Sequence, residues 1–402
     1  MALRARVLVV AFTYAPNLDG VANAAGLVAQ GLAARGHELT IATVWNPQRK
    51  PPEPSDNPKI YQFKVRGPSR WDKCPQGEES KFKEFVAGFQ GDAILCHCLD
   101  TALAQLAISQ FHRLPAAKVL VSHGFDAHRL NWQRKFPWGL RKWLAKQPFV
   151  LGLPWELRKF DSLVFLSSRR NFERFFDHKV AHAIGHPGIR VIPNGIDWKP
   201  SSVSMPDFRQ QYKIGDRFLF LCVAYYGVGK NQISALRAYR QARIANSVLV
   251  FIGSERNEYS NTMERLDKQL AGVFPEGNVL ILDKVDRRMT EAAFQAMDAF
   301  LFPSKAESQP LVLIESMAAG KPFISTDRGC IRDLAGGIIV RGESEMIREI
   351  QRLVQDANLR AELGARGRGD YLAKYQKEAV VNSYEQLILQ ATKNRYPKGA
   401  AR

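Results

Sequence analysis

The chain has 402 residues, and at roughly 100 to 200 residues per domain that predicts two or three domains with at least one large core. Hydrophobic residues make up 46% and charged residues 24%, close to globular averages, which excludes a disordered, collagenous or low-complexity chain. Lys and Arg total 57 against 39 Asp and Glu, a formal charge of +18; such a field attracts phosphate, nucleic acid or an anionic membrane face without choosing among them. Cys74, Cys96, Cys98, Cys222 and Cys330 are odd in number and show no C-x-x-C pair, which argues against a disulfide framework or structural zinc and for a reducing compartment.

Behind Arg4 and Arg6, the apolar run Val7 to Phe12 reads as a buried parallel strand. Thr13-Tyr14-Ala15-Pro16 breaks it too early for a signal-peptide core, and no uninterrupted run reaches the roughly 18 apolar residues of a spanning helix. A cytoplasmic protein, soluble or peripheral at a membrane, is expected. Val21, Ala25, Val28 and Leu32 fall on one helical face that Gly36 would close, and Leu39 to Val44 completes a βαβ unit. Further strand-like runs at Lys59 to Val65, Asp92 to His97, Lys118 to His123, Ser162 to Ser167 and Arg190 to Pro193 predict a doubly wound sheet. Asn194-Gly195-Ile196-Asp197, read as a tight hinge turn, and the Pro- and Ser-rich stretch after it form a linker.

A second α/β domain then follows. Its strand-like runs are Phe218 to Ala224, Val248 to Gly253, Asn278 to Leu282, Ala299 to Pro303 and Pro322 to Thr326, with helical segments such as Gln232 to Ala245 and Met289 to Met297 between them. From Glu343 to about Lys393 the chain is helical in composition. Ligands of such sheets bind beyond the carboxyl ends of the strands.

The most specific stretch is Phe302 to Pro322. Glu307 lies in a polar loop, Pro310 suits the first position of a helix, and Glu315 sits about 7 to 8 Å along that helix at roughly 1.5 Å per residue. The amides near Leu311 and Val312, at the positive end of the helix dipole, would seat an anion. Two carboxylates flanking a phosphate-sized seat suit a sugar nucleotide: one accepts from hydroxyls of the sugar, the other from the ribose. On spacing alone, Glu307 is an ordinary loop charge and Glu315 an ordinary helix-surface residue.

The whole segment, however, resembles the E-x7-E signature of the retaining nucleotide-sugar enzymes called glycosyltransferase family 4. Tyr14 to Val21 is similar to that family's first loop, Leu32 to Ile41 to its first helix and second strand, and Val191-Ile192-Pro193-Asn194-Gly195-Ile196-Asp197 to its interdomain motif. The resemblance runs from about residue 6 to 375 and is weak over 48–91. It implies the GT-B architecture: two Rossmann-like doubly wound parallel-sheet domains facing across a cleft. The N-terminal, acceptor-side domain would span 1–197 and the C-terminal, donor domain 198–375. A helix over 376–402 would pack back on the first.

The resemblance further implies a hexosyl-type transfer from a nucleoside-diphosphate sugar to a hydroxyl of a glycan or lipid-linked acceptor, with retention and without a metal or other cofactor. The sequence contains no Asp-x-Asp pair of the metal-dependent kind. Lys230, in Gly227-Val228-Gly229-Lys230, matches the lysine that neutralises the leaving diphosphate. His123, before Gly124, matches the family's His-Gly position and with Glu307 makes the catalytic pair. Gly20, Lys230, Gln309, Pro310, Leu311, Val312 and Glu315 make the donor-binding set, and retaining transfer is expected on the front face, where a phosphate oxygen takes the acceptor's proton.

Two positions depart from the family. Ala224-Tyr225 stands where Gly-Arg is usual, so Tyr225 occupies the place of a cation; either Arg256 or another basic residue substitutes, or the diphosphate is held less tightly. Asp19-Gly20 replaces a Gly-Gly pair, and an acidic Asp19 pointing inward would oppose a diphosphate. Asp126 and His128 are secondary positions, with loop capping as the alternative.

Between 131 and 158, Trp132, Phe136, Trp138, Trp143, Phe149 and Trp155 interleave with Arg134, Lys135, Arg141, Lys142, Lys146 and Arg158. That mixture suits an anionic membrane interface, or a basic helix with inward tryptophans. A dinucleotide fold lacks its third glycine, a P-loop lacks Ser or Thr after Lys230, and no nucleic-acid-binding module appears, so no nucleic-acid partner is expected. The nearer rivals are a sugar-nucleotide epimerase or a phosphorylase of related fold.

Overall fold

The computed structural model describes residues 4–17, 19–53, 55–65, 77–125, 138–168, 175–198 and 206–395. Contacts divide it into two units, one running to Gly195 and resuming at Lys377, the other Ile196–Gln376. The first unit contains β1 (Arg6–Ala11), α1 (Gly20–Ala34), β2 (Glu38–Val44), β3 (Lys59–Phe63), α2 (Glu79–Ala87), β4 (Ala93–His97), α3 (Ala102–Ile108), β5 (Ala117–Val121), α4 (Trp138–Leu157), β6 (Ser162–Phe165), α5 (Phe176–Ala183) and β7 (Ile189–Val191). The second contains α6 (Phe208–Gln211), β8 (Phe218–Val223), α7 (Gln232–Ala242), β9 (Ser247–Gly253), α8 (Glu258–Ala271), β10 (Asn278–Asp283), α9 (Arg287–Ala296), β11 (Ala299–Phe302), α10 (Leu311–Ala318), β12 (Phe323–Thr326), β13 (Gly337–Val340), α11 (Glu343–Gln355) and α12 (Ala357–Asp370). The last helix, α13 (Lys377–Arg395), returns to the first unit.

Both sheets are parallel and both reverse their strand order once. The first reads β3-β2-β1-β4-β5-β6-β7, the second β10-β9-β8-β11-β12-β13. Strands covered by helices on both faces run largely apolar, and β4, β5 and β9 are buried along their whole length. Register brings the ends of β4 and β5 together, with His97 opposite Val121.

Helix α13 completes a core of the first unit: Val380, Val381, Tyr384 and Ile388 pack with Val7, Val9 and Ile41. It approaches α1 closely enough that a Cβ at Gly31 would lie 2.3 Å from a Val381 methyl, so this helix position accepts only glycine without moving α13. A polar lock lies beside it. The Ala5 amide donates to His37 Nδ1 at 3.1 Å, which leaves the proton on Nε2 to bond Glu385 Oε1 at 2.8 Å. Arg35 reaches the other oxygen at 2.6 Å, and these bonds, His37's first, hold the Glu385 carboxyl below its usual range.

The second unit is entered and left side by side. Ile196 N–H donates to Tyr375 O at 3.0 Å, and Ile196 bridges Gln376 in parallel. Two features differ from the sequence expectation. Strand β13 was not foreseen, because three apolar residues behind Gly336-Gly337 carry little pattern; Gly337 is required there, since a Cβ would sit 1.9 Å from the Phe323 ring. Pro310 is the N-cap of α10, with extended backbone (φ −74°, ψ 117°), and Leu311 is the first helical residue. The Pro- and Ser-rich linker over 199–205 lies outside the described residues.

Candidate functional site

In the second unit the strand order reverses between β8 and β11. Side chains of β8 alternate between two cores: Phe220 and Cys222 pack with Ala235 and Leu236 of α7, Leu219 and Leu221 with Leu313 and Ile314 of α10. The helices that follow β8 and β11 therefore cover opposite faces, and such a reversal of strand order is the position where open α/β sheets take ligands. Lys230, from the β8–α7 turn, and Glu307, from the β11–α10 loop, meet there at 2.6 Å. Lys230 is 19% exposed and Glu307 9%.

The two loops are stitched together around that pair. Lys305 N–H donates to Gly229 O at 2.9 Å and Asn231 Nδ2 to Pro303 O at 3.2 Å. Ser304 Oγ donates to Glu307 Oε1 at 2.5 Å, with Gly229 O 3.1 Å away. Gly329 packs beneath the loop with φ +57°, where a Cβ would meet Ser308 O at 2.2 Å, and the Cys330 amide bonds the same carbonyl at 2.9 Å. Glu307 is thus held by its loop as well as by the lysine.

Neither α7 nor α10 has a side chain capping its first turn. Pro310 has no capping group to offer, so the amides of Leu311 and Val312 have no side-chain cap at the positive end of the helix. Tyr225, 58% exposed, sets its ring 5.4 Å from Lys230 Nζ, and Phe302 sets another at 5.6 Å. Tyr225 thus presents an aromatic face to the Lys230 ammonium. Arg256 is bound to Glu264, to Asp283 at 3.2 Å and to Ile281 O. Gln309 is buried.

Glu315 shares no partner with Glu307. Its Oε1 pairs at 2.5 Å with Arg287, the first residue of α9, and burial pushes its carboxyl up while Arg287 draws it down. Sequence reasoning missed Arg287, which lies in the polar run Asp286-Arg287-Arg288. Only the preceding Asp286, a helix cap bonding Met289 N–H, was a readable signal there.

In the first unit, His123 follows β5 and is half-buried. Its Nε2 lies 2.9 Å from Nδ1 of His97, the buried last residue of β4, which sequence reasoning did not single out. Burial pulls His123 down to about 4, against an upward pull from Asp19, and pulls His97 well below its ordinary value, with His123 adding to the effect. Ser122 Oγ donates at 2.5 Å to Asp177, whose carboxyl burial pushes up to about 6.

Asp19 caps α1. Its Oδ1 accepts from the Val21 and Ala22 amides at 2.9 Å each and from Thr13 Oγ1 at 3.0 Å. The amides expected behind Gly20 for a phosphate are therefore taken by Asp19, and a Cβ at Gly20 would meet nothing within 4 Å. Asp126 and His128 lie outside the described residues.

Residues 204–370 match the family model described as Glycosyl transferases group 1, which supports that family for the second unit. A lipopolysaccharide core biosynthesis glycosyltransferase of Rhizobium meliloti is 32% identical over 105 residues, 25% of this chain, and the stretch spans 31% of that relative. A sucrose-phosphate synthase from Thermosynechococcus elongatus has a TM-score of 0.72 at 18% identity over 96% of this chain and 99% of its own. Anabaena HepE, solved in complex with UDP and glucose, scores 0.69 at 14% identity over 96% of this chain and 100% of its own. These likenesses show the fold, two Rossmann-like parallel-sheet units as in GT-B glycosyltransferases.

The depressed histidine carries a pH consequence. Between pH 6.5 and about 4 the unfolded chain protonates His123 while the folded chain does not, so acidification costs stability, by at most about 1.4 kcal/mol per pH unit for this one proton. Asp177 acts oppositely between its unfolded value of 3.8 and about 6, and is common to parent and variant. Urea midpoints of the parent are expected to fall more steeply than those of His123→Gln from pH 7 to 4.5. Equal slopes would show that His123 titrates normally in the fold.

Proposed function

We propose that this chain is a family 4, retaining, metal-independent glycosyltransferase that moves a hexose-type sugar from a nucleoside-diphosphate donor to a hydroxyl of a glycan or lipid-linked acceptor. The carrying observation is the Lys230–Glu307 pair where the strand order reverses between β8 and β11. Each member holds the other only until something better arrives. A diphosphate is the stronger acceptor for the ammonium, and the carboxylate released from it needs hydroxyl donors, which a sugar supplies. A nucleotide sugar brings both in one molecule.

In this reading the diphosphate lies between Lys230 and the α10 amides of Leu311 and Val312, whose charge-assisted bonds stabilise the leaving group. Glu307 accepts from the sugar hydroxyls. Glu315, with Oε1 held by Arg287, accepts from the ribose through Oε2. His123 donates to a hydroxyl near the reacting carbon, and the acceptor attacks on the face the phosphate leaves, passing its proton to a phosphate oxygen. HepE's UDP complex makes UDP-sugars the first donors to try, and the Rhizobium relative's lipopolysaccharide role makes a lipid-linked glycan the first acceptor.

A membrane-borne acceptor would be met by α4. Leu144, Leu151 and Trp155 share one helical face at i, i+7 and i+11 and are 53%, 72% and 66% exposed, with Arg141 and Lys146 exposed on the same helix and Arg158 exposed just beyond its end. No helix among the described residues is long and apolar enough to cross a membrane.

Release of nucleoside diphosphate that requires acceptor, with an axial product from an axial donor, is the expected assay result. Lys230→Ala should weaken UDP binding roughly 10- to 100-fold, the size of one charge-assisted bond. Glu307→Ala should keep UDP binding and lose transfer and sugar discrimination; transfer at the parent rate would remove Glu307 from the mechanism. In sedimentation with vesicles, the parent should bind those rich in anionic lipid, and Leu151→Ser with Trp155→Ser should release it. Equal binding by both would exclude α4 as the contact.

A further inference from the structure

The contact between the two imidazoles of the first unit defines where a proton sits. The rings of His97 and His123 are 5.2 Å apart between centroids, with planes 19° from parallel, and the two bonded nitrogens lie between those centroids at 2.9 Å. A hydrogen bond between two neutral imidazoles uses one proton, so one ring donates and the other accepts. His97 is 1% exposed, and its Nε2 is buried without a hydrogen-bond partner among the described residues.

That orphaned atom distinguishes the two arrangements. Were His123 Nε2–H the donor, His97 would accept through Nδ1 and carry its own proton on Nε2, an N–H buried with nothing to bond. Were His97 Nδ1–H the donor, Nε2 would be a bare lone pair. Buried N–H groups without partners are rarer than under-satisfied acceptors. His123 then accepts at Nε2 and must carry its proton on Nδ1. That nitrogen has no hydrogen-bond partner among the described residues and belongs to a half-buried ring, so it is the one left to meet a ligand.

We propose that His97 is a positioning residue whose Nδ1–H fixes His123 in the Nδ1-protonated form, so that this imidazole presents a single N–H donor to a sugar hydroxyl. The donor's target rests on the transferase reading above; the tautomer does not. The backbone holds the pair in place: the Cys98 amide donates to Val121 O at 3.0 Å, tying the residue after His97 to the strand that delivers His123. Cys98 turns there with φ +63°, which ends β4 immediately behind His97.

Nitrogen-15 spectra of the full chain, labelled at histidine and recorded near pH 7.5, read the tautomer directly. His123 is expected with a protonated Nδ1 and a bare Nε2. In His97→Phe, which keeps a ring but removes the donor, that fixed tautomer should be lost and kcat should fall about tenfold or more while donor KM stays near the parent value. His97→Asn, whose amide nitrogen can donate from a similar place, should restore the tautomer and part of the rate. A parent spectrum with the proton on His123 Nε2 overturns the inference, whatever the activity, and it decides the matter even if a variant fails to fold. The expected tautomer in a chain that transfers no sugar would leave the inference standing and the transferase reading overturned.

Discussion

The contact between Lys230 and Glu307 is the constraint around which the second unit's candidate site is organised. Two opposite charges, each less than one-fifth exposed, lie 2.6 Å apart. Removing either one would leave the other partly buried and unpaired, which costs far more than the pair itself contributes. The pair exists because β8 and β11 are neighbours where the strand order reverses, which sets the loops leaving them side by side. Asn231 and Lys305 then bind one loop to the other and Ser304 holds Glu307 within its own loop, which sets the reach of both side chains before any ligand arrives. In the proposed reaction this arrangement discriminates by its unmet needs. A bare sugar would leave Lys230 without an anion, and a bare nucleotide would leave Glu307 without its hydroxyls.

The first unit solves a related problem differently. At its own strand reversal, between β1 and β4, the amino end of α1 is closed by Asp19. The Val21 and Ala22 amides bond that resident carboxylate, which answers the helix dipole. What the unit offers instead is imidazole, held by burial in the neutral form and bonded to a second ring behind it. Neutral imidazole donates without adding charge, which suits contact with an uncharged sugar better than with a phosphate.

Much of this was legible in the sequence because it rests on local pattern. Alternating apolar runs and helical faces announced the two parallel sheets, and the eight-residue interval between Glu307 and Glu315 placed one on a loop and the other in a helix. Partnerships across the fold were not legible. Arg287 precedes Glu315 by 28 residues and sat in a run of charges with nothing to single it out. His97 closed an apolar strand and read as part of it, since only register with β5 brings it to His123. The position of Arg256 after β9 was visible, whereas its acidic partners, Glu264 and Asp283, were not. Asp19 was weighed as a charge near phosphate, whereas its position just before a helix made capping the stronger local force.

Hydrogen exchange followed by mass spectrometry, with and without saturating UDP, tests the central claim most directly. Slowed exchange in peptides spanning 224–232 and 303–315, the two loops that carry Lys230 and Glu307 with the first turn of α10, is the predicted result. Saturable binding with protection elsewhere and none in those two segments would contradict it.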